Sequence, residues 1–464
     1  MTRLVPPYPK PVRKLPLWLG WPLWPWRFLQ SRYSTLAALV PEVYSMKLGQ
    51  WRTFARRIYL ANDPELVRRV LVDEAEDFPK DAVIADMLEL LMGDSIFVSN
   101  GAVWKRQRRM MDPAFEGARI KLVFELMRDE ADALIERLDA AADQPEIRID
   151  VEMTHVTADI IFRTMFSRAL TAEEAREIFD AFQEFQELAY ASGINRTAGL
   201  PDWMSPGLRR KAAASAARIR AVLDPIVKAR YDAFHSGAKA IHKDILQSLV
   251  SVKDPLNGTH FDLRELNEQV AMLFLAGHET SASALSWSLY LIAAHSETQT
   301  ALHDECSRVL GARPPQFSDM KRLPLARNVF NEALRLYPPV TFLPRTAAKT
   351  CPMRGKTIRA GSIVSVSPWT MQRHTRHWHD PHAFDPSRFS RPECAEAIRS
   401  AYFPFSKGPR VCLGASFALQ EGTLILAMLA RRYRFELVPG FVPEPIGRLT
   451  LRSANGMKLR ILAR

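Results

Sequence analysis

The segment from Leu263 to Ala294, LRELNEQVAMLFLAGHETSASALSWSLYLIAA, repeats apolar residues at three- and four-residue intervals along its whole length. A helix this long and this apolar must cross an interior, and other helices must cover it. The chain supplies them: IKLVFELMRDEADALIERLDAA, the stretch from Val151 to Met165, and AAASAARIRAVLDPIVKARYDAF carry the same period. Upstream, VYSMKLG and TFARRIYLA read as two short strands with a Gly-centred turn, followed by a helix PELVRRVLVD started by Asp63-Pro64. From about Pro339 the pattern changes to short β-prone pieces, prolines and turns, before a last helix near Ala415–Arg432. Internal repeats, low-complexity linkers and abrupt charge blocks are absent from the sequence. The expected fold is mainly α with small β-sheets (α+β): one large body over 43–464 behind a Pro/Trp-rich N-terminal arm, 1–42.

Apolar residues make up 47% of the chain and charged residues 25%, which suits a globular protein with an ample core. No run of about 18 consecutive apolar residues occurs, so no transmembrane helix is expected. In the arm, Trp18, Trp21, Trp24 and Trp26 stand among Pro16, Pro22 and Pro25, which exclude a continuous helix; no small-residue cleavage site follows, so a signal peptide is not expected either. The indoles, beside Arg13, Lys14 and Arg27, either rest on a membrane surface as a peripheral contact or pack on the protein's own body, and the second reading is preferred. Cys306, Cys351, Cys394 and Cys412 form no CxxC pair and no zinc-like spacing, and read as reduced thiols of a cytoplasmic protein. The net charge of +12 is scattered among acidic residues and no nucleic-acid motif stands out, which disfavours a nucleic-acid partner.

The chemistry concentrates in FPFSKGPRVCLG, a basic turn that sets Cys412 between Gly408 and Gly414 just before the last helix. A metal-binding thiolate needs its charge stabilised, and backbone N–H groups of a glycine-rich turn at a helix N-terminus do that. Glycines admit a flat cofactor to the backbone without Cβ clashes. Arg410 can meet a carboxylate of that cofactor, and Phe405 can shield the sulfur from water and oxidation. The competing reading is a buried structural cysteine, which most lone cysteines are. Against it, Phe405, Gly408, Arg410, Cys412 and Gly414 together fit F-x-x-G-x-R-x-C-x-G, an accident on the order of one in ten thousand at average residue usage.

This loop, extended by GASFALQE from Gly414 to Glu421, resembles the haem-binding loop of the cytochrome P450 family, where a cysteine thiolate ligates the iron. The resemblance runs in order from about Val43 to the C-terminus. It implies a single-domain cytochrome P450 fold that holds haem b (iron protoporphyrin IX) between a long distal helix and the proximal Cys412 loop and helix. AGHETS, Ala276 to Ser281, is unusual inside a helix because Gly277 disfavours helix and Thr280 competes for its hydrogen bonds, so a local widening is expected. Alone it reads more readily as a core helix with a polar spot. The resemblance makes it the oxygen-binding groove: Ala276 beside the haem, the Thr280 hydroxyl supporting proton delivery, and Glu279 feeding it from solvent.

Glu332 and Arg335 in EALR would by themselves be an ordinary helix-surface pair. With LYPPV and FDPSRF downstream, they resemble the family's buried triad with Arg388, which holds the cysteine loop's fold; Ser387 stands where the family usually has glutamate. Trp104 and Arg108 in VWKRQRRMMDPAF share a helical face, on its own a basic solvated one. By resemblance they serve a haem propionate, as do Arg345 in FLPRTA and Arg410, since arginine forks match carboxylates. His278 is expected to point away from the haem if Ala276 and Thr280 face it. His374, His377, His379 and His382 fit no established zinc spacing and match the family's meander, with Trp378 and Pro381.

The activity so implied is that of a haem-thiolate monooxygenase that activates O2 to hydroxylate a lipophilic small molecule. Its electrons would come from a separate ferredoxin or flavodoxin with its reductase. The sequence contains no flavin or nicotinamide fingerprint, and the chain ends at Arg464, too soon after the haem loop for a fused reductase. Basic residues on the cysteine side would suit an acidic iron–sulfur partner. The alternatives are a non-catalytic haem protein (sensor or electron carrier) and an oxygen-independent haem-thiolate isomerase or peroxygenase; the latter types tend to lose the acid–alcohol pair present here. Substrate contacts are implied in DAVIADMLELLMGDSIFVSN, at Leu273, at Val340, Phe342 and Leu343, and at Ala454 in the turn near Ser453–Asn455. Their apolar character points to a fatty acid, a terpenoid or a hydrophobic aromatic acid, with a lipophilic aliphatic compound preferred. Monomer is the family default.

Overall fold

The computed structural model describes residues 3–11, 33–53, 56–115, 121–198, 203, 206–239 and 241–464. The four tryptophans of the arm, and the choice between membrane and body that hangs on them, lie outside the described residues. Helices α1 (Ala82–Met92), α2 (Gly101–Met111), α3 (Phe124–Ala140), α4 (Ile149–Phe166), α5 (Ala172–Ala198), α6 (Pro206–His235), α7 (Leu263–Ala294), α8 (Pro324–Leu336) and α9 (Ala415–Arg432) carry most of the body. Helix α7 starts where Asp262 caps it. The Asp262 carboxylate accepts the Glu265 N–H at 2.7 Å and the Glu265 carboxylate accepts the Asp262 N–H at 3.0 Å, a reciprocal capping box.

Helix α7 threads two apolar clusters. Residues from Leu266 to Leu275 pack with α1, α4, α5 and α6, and residues from Ala282 to Ile292 pack with α3, α8 and α9. Each fully buried aliphatic or aromatic side chain contributes roughly 1.5–3 kcal/mol, so these two cores fix the helix. AGHETS falls at the seam between them. Among the described residues no helix is long and apolar enough to cross a membrane.

A four-stranded sheet of β1 (Leu48–Arg52), β2 (Arg57–Ala61), β3 (Leu343–Thr346) and β4 (Ile363–Val366) has the order β1-β2-β4-β3. Strands β2 and β4 run parallel with Ile58 opposite Ile363, and Arg345 of β3 lies opposite Val364. The first strand begins later than VYSMKLG suggests. Val43 and Tyr44 belong to a 3-10 turn, Pro41–Tyr44, pinned by the Asn62 side-chain amide donating to the Val43 carbonyl at 2.6 Å. Gly49 is not a turn residue but pairs with Leu60; the turn is closed by Thr53 and Arg56. A hairpin of β5 (Pro445–Gly447) and β6 (Leu451–Ser453) pairs Gly447 with Leu451. The described parts of the arm lie on the body: Phe384 N–H donates to the Leu4 carbonyl at 2.9 Å, Tyr8 stacks on His382 at 4.4 Å, and Leu36 is buried.

Candidate functional site

The turn before α9 is held by its own backbone. Cys412 N–H donates to the Phe405 carbonyl and Val411 N–H to the Gly408 carbonyl, each at 3.0 Å. Gly408 has φ +73°, and a Cβ there would lie 2.1 Å from the Leu71 carbonyl oxygen, so only glycine fits. Gly414 precedes α9, and its amide bonds the Cys412 sulfur at the positive end of the helix. Burial among protein atoms pushes the Cys412 thiol up; the Gly414 amide and then Arg108 pull it down. Cys412 nevertheless keeps accessible surface. Its neighbour Leu413 borders the same apolar cluster as Ala276 of α7, and the space between these two elements is the slot that Cys412 would face. A bound metal cation would complete the stabilisation of its thiolate.

Helix α7 borders that cluster through Ala276. Between Glu268 and Ile292 every residue is buried except Ala276, Gly277 and Thr280, which share one helical face with Leu273. The helix is unbroken through the motif; in place of the expected widening, the Thr280 hydroxyl donates to the Ala276 carbonyl at 2.8 Å. Gly277 has a packing reason: a Cβ there would lie 2.7 Å from Ile161 Cγ1 of α4. It permits close helix contact and brings no catalytic side chain. His278 turns away from this face. Its Nδ1 lies 2.8 Å from the Phe274 carbonyl, Phe274 and Phe182 flank it at 4.9 and 5.3 Å, and burial pushes it down to about 4. Glu279 corrects the expectation of an acid open to solvent: it is 2% exposed, forked by Arg452, and accepts the Thr450 hydroxyl at 2.6 Å.

Cations gather at the slot's edge. Helix α2 places buried Trp104 one turn from Arg108, whose Nη1 donates to the Val411 carbonyl at 2.7 Å and whose Nε pairs with Asp112. Arg410 lies over the Trp104 ring at 5.2 Å and donates to the Ala75 carbonyl at 2.7 Å. Arg345 is 6% exposed and donates to its neighbour's carbonyl, Pro344, at 3.1 Å. Burial first, and then Arg410, push it down to about 9. Sequence reasoning missed Lys80, a lone lysine in a pattern that gives it no motif. It bridges to Arg345 across strand-like backbone and donates to the carbonyls of Ile96 and Ser99 at 2.6 and 2.9 Å. Burial, and then Arg345 and Arg410, push Lys80 down to about 6. The Nε atoms of Arg345 and Arg410 are buried without a hydrogen-bond partner among the described residues. Buried cations with unmet donors call for an anion. A flat dicarboxylate such as haem, laid between Cys412 and the Ala276–Thr280 face, fits this donor set.

Behind the cysteine loop, Arg335 forks onto Glu332 with both bonds at 2.7 Å, and Arg388 reaches the same carboxylate at 3.4 Å. All three are 2% exposed or less. Arg335 also donates to the carbonyls of Gln372, Pro381 and Ala383, and Arg388 to those of His379 and Asp380. The Gln372 side chain in turn accepts the Phe403 N–H at 3.0 Å, at the start of the cysteine loop.

Of the expected substrate contacts, Leu273 is buried at the slot face, and Val340, Phe342 and Leu343 are half-buried. In α1, Val83 and Ile84 pack on the cluster that contains Leu273. The structure does not bring Ala454 to the slot. It is exposed beside Glu444 at the outer end of the hairpin, whereas the inward end carries Leu449, packed with the cluster that Ala276 and Leu413 border. Strand length decides this: the hairpin's two ends are separated by the whole of β5 and β6.

Glu421, the end of GASFALQE, is wholly buried on α9 near Ser281, and among the described residues neither carboxyl oxygen makes a well-formed hydrogen bond. Burial, only partly opposed by Ser281, pushes its carboxyl from 4.5 up to about 8. The folded chain therefore keeps a proton that the unfolded chain releases, so this group's contribution is fullest below 4.5 and is lost as pH rises through 8. Glu421→Gln is expected to leave thermal unfolding unchanged near the acid end of that window and to raise the midpoint at its alkaline end. Melting curves across the window check this; parallel curves for the two proteins would contradict it.

A family model described as Cytochrome P450 matches residues 6–459. The chain is 33% identical over 404 residues to cyclooctatin synthase from Streptomyces melanosporofaciens, covering 87% of this chain and 86% of that protein. It is 33% identical to cyclooctat-9-en-7-ol 5-monooxygenase of the same organism, covering 83% and 81%, and 29% identical to pentalenene oxygenase from Streptomyces avermitilis, covering 88% of each. The crystal structure of the cytochrome P450DA heme domain superposes with a TM-score of 0.79 at 25% identity, over 90% of both chains.

Proposed function

Since the chain belongs to the cytochrome P450 family and is an oxidoreductase of its monooxygenase type, we propose that it hydroxylates a lipophilic terpenoid, with haem b held by the Cys412 thiolate. The observation that supports this reading is the donor set: exposed Cys412 in its glycine turn, the half-open Ala276–Thr280 face of α7, and buried arginine Nε atoms without a partner among the described residues. The relatives named for cyclooctatin and pentalenene chemistry, both terpenoid, support the substrate class over fatty or aromatic acids.

When bound, the haem supplies oxygen activation, and its thiolate ligand favours O–O cleavage. The chain does the rest. Arg345, Arg410, Arg108 and Lys80 bind the carboxylates, Trp104 packs beneath two of these cations, and Phe405 keeps water from the sulfur. Leu273, Val340, Phe342, Leu343 and Leu449 exclude water and orient an apolar ligand. Thr280 holds a transferable proton at Oγ1. The electrons come from an acidic ferredoxin or flavodoxin with its reductase, a partner suited by the +12 net charge. The enzyme works as a cytoplasmic monomer, with its haem domain over 43–464.

Thr280→Ala tests the reading. Product per electron is expected to fall and hydrogen peroxide to rise, because removing a positioned proton-transfer group typically slows the step it serves by on the order of 10²-fold or more. The carbon monoxide spectrum should stay unchanged. Full coupling in this variant, or a wild-type protein that oxidises no terpenoid, would overturn the proposal in favour of a sensor or carrier.

A further inference from the structure

Traced back from Thr280 at helical spacing, the slot face of α7 runs through Ala276 and Leu273 to Gln269. Gln269 is fully buried, and its Oε1 accepts the Ile96 N–H at 3.0 Å, which fixes the oxygen end of the amide. The other end, Nε2, carries two N–H donors and has no hydrogen-bond partner among the described residues. Ser95, bonded through its own peptide group to Ile96, is fully buried too, and its hydroxyl also has no partner among them. An amide donor and a hydroxyl are thus left unmet around one peptide link. Leu91, Met92, Ile96, Val98 and Leu273 belong to the same apolar cluster. In such surroundings an unpaired polar group is costly and calls for a partner.

The segment Asp94–Ser99 is not free to turn and supply that partner itself. Lys80 Nζ donates to the Ile96 carbonyl at 2.6 Å, and the Gln107 amide of α2 donates to the Asp94 carbonyl at 2.7 Å. Asp94 N–H donates to the Glu268 carboxylate of α7 at 3.1 Å. Val98 and Ser99 N–H both donate to the Ser95 carbonyl, at 3.0 and 2.9 Å. With the backbone pinned from three sides, Gln269 Nε2 and Ser95 Oγ are a fixed pair of polar groups in an otherwise apolar wall.

We propose that Gln269, with Ser95, is a specificity-determining residue that binds a hydroxyl or keto oxygen already present on the terpenoid substrate. This rests on the terpenoid monooxygenase reading above. Gln269 Nε2 donates to that oxygen, while Ser95 Oγ accepts the proton of an alcohol or donates its own to a ketone. Seven residues of helix separate Gln269 from Ala276, about 10 Å along the axis. The oxygen so held stands about that far from the carbon presented at the Ala276–Thr280 face, a span that suits an extended skeleton better than a compact one. The substrate therefore comes from a reaction that has already hydrated or oxidised the hydrocarbon.

The test compares probes that share a skeleton and differ in one oxygen: valencene against nootkatol and nootkatone, and abietadiene against abietadienol. Each is titrated into the full-length, haem-loaded protein, with Kd read from the haem difference spectrum and again by calorimetry. The oxygenated probes are expected to bind about tenfold more tightly than their hydrocarbons, the scale set by leaving a buried donor unpaired. Gln269→Leu should remove that preference and leave hydrocarbon binding unchanged. Ser95→Ala, which keeps the Ile96–Gln269 bond, should weaken the oxygenated probes alone and serves if Gln269→Leu fails to fold. Equal wild-type binding of both members of each pair would overturn the proposal and leave the two groups as the seat of a water. Equal loss of hydrocarbon and oxygenated probe in both variants would reduce them to ties that hold the loop. A haem-loaded protein that binds none of these probes would instead overturn the terpenoid reading itself.

Discussion

Cys412→Ala is expected to abolish the strongly red-shifted Soret band of the dithionite-reduced, carbon monoxide-bound protein. A thiolate ligand to the iron would give that band, and Cys412, the exposed cysteine of the glycine turn, would supply it. The loop is shaped for the purpose: Gly408 can be no other residue, the Cys412 amide is bonded to Phe405, and the Gly414 amide meets the sulfur. In the protein alone burial favours the neutral thiol, so a thiolate there would need a bound metal cation to take the place of its proton. The substitution removes a ligand but leaves these backbone contacts intact, and the circular dichroism should stay native. A wild-type band of the histidine type, or a red-shifted band that survives in Cys412→Ala, would mean that another group ligates the iron.

The second large effect concerns stability. Glu332→Ala is expected to cost about 3–5 kcal/mol, because it strands two buried guanidiniums, Arg335 and Arg388, without their shared carboxylate. That is a large part of the 5–15 kcal/mol that typically holds a domain together. Arg335 would keep its three carbonyl acceptors, yet carbonyls do not neutralise a charge at 0% exposure. The Gln372–Phe403 bond, anchored beside the triad, should loosen with it, so haem retention falls along with the unfolding midpoint. Denaturant unfolding of the holoprotein measures the first effect and haem release the second. A loss below about 1 kcal/mol, the level of a surface pair, would show that water reaches these side chains.

Much of this was legible in the chain. Leu263–Ala294 and Ala415–Arg432 fall where periodicity put them, because Asp262 and Glu265 mark one start and Gly414 the other. The cysteine turn was legible because backbone geometry at Gly408 is a local matter. Strand edges were less so: Val43 and Tyr44 have strand-like composition, but Asn62 and Trp369 draw them into a 3-10 turn and the core. Ala454 and Leu449 lie five residues apart on one hairpin, and nothing in either residue tells which end points inward.

Periodicity and spacing within short segments were enough to place the long helices, the cysteine loop and the family resemblance. The charge states and partnerships come from packing. Lys80 joins Arg345 and Arg410 from 265 or more residues away. Glu279 meets Arg452 across 173 residues. The physical reason is that desolvation and Coulomb interaction depend on distance through space and on what excludes water. A linear chain carries neither quantity until the helices have packed.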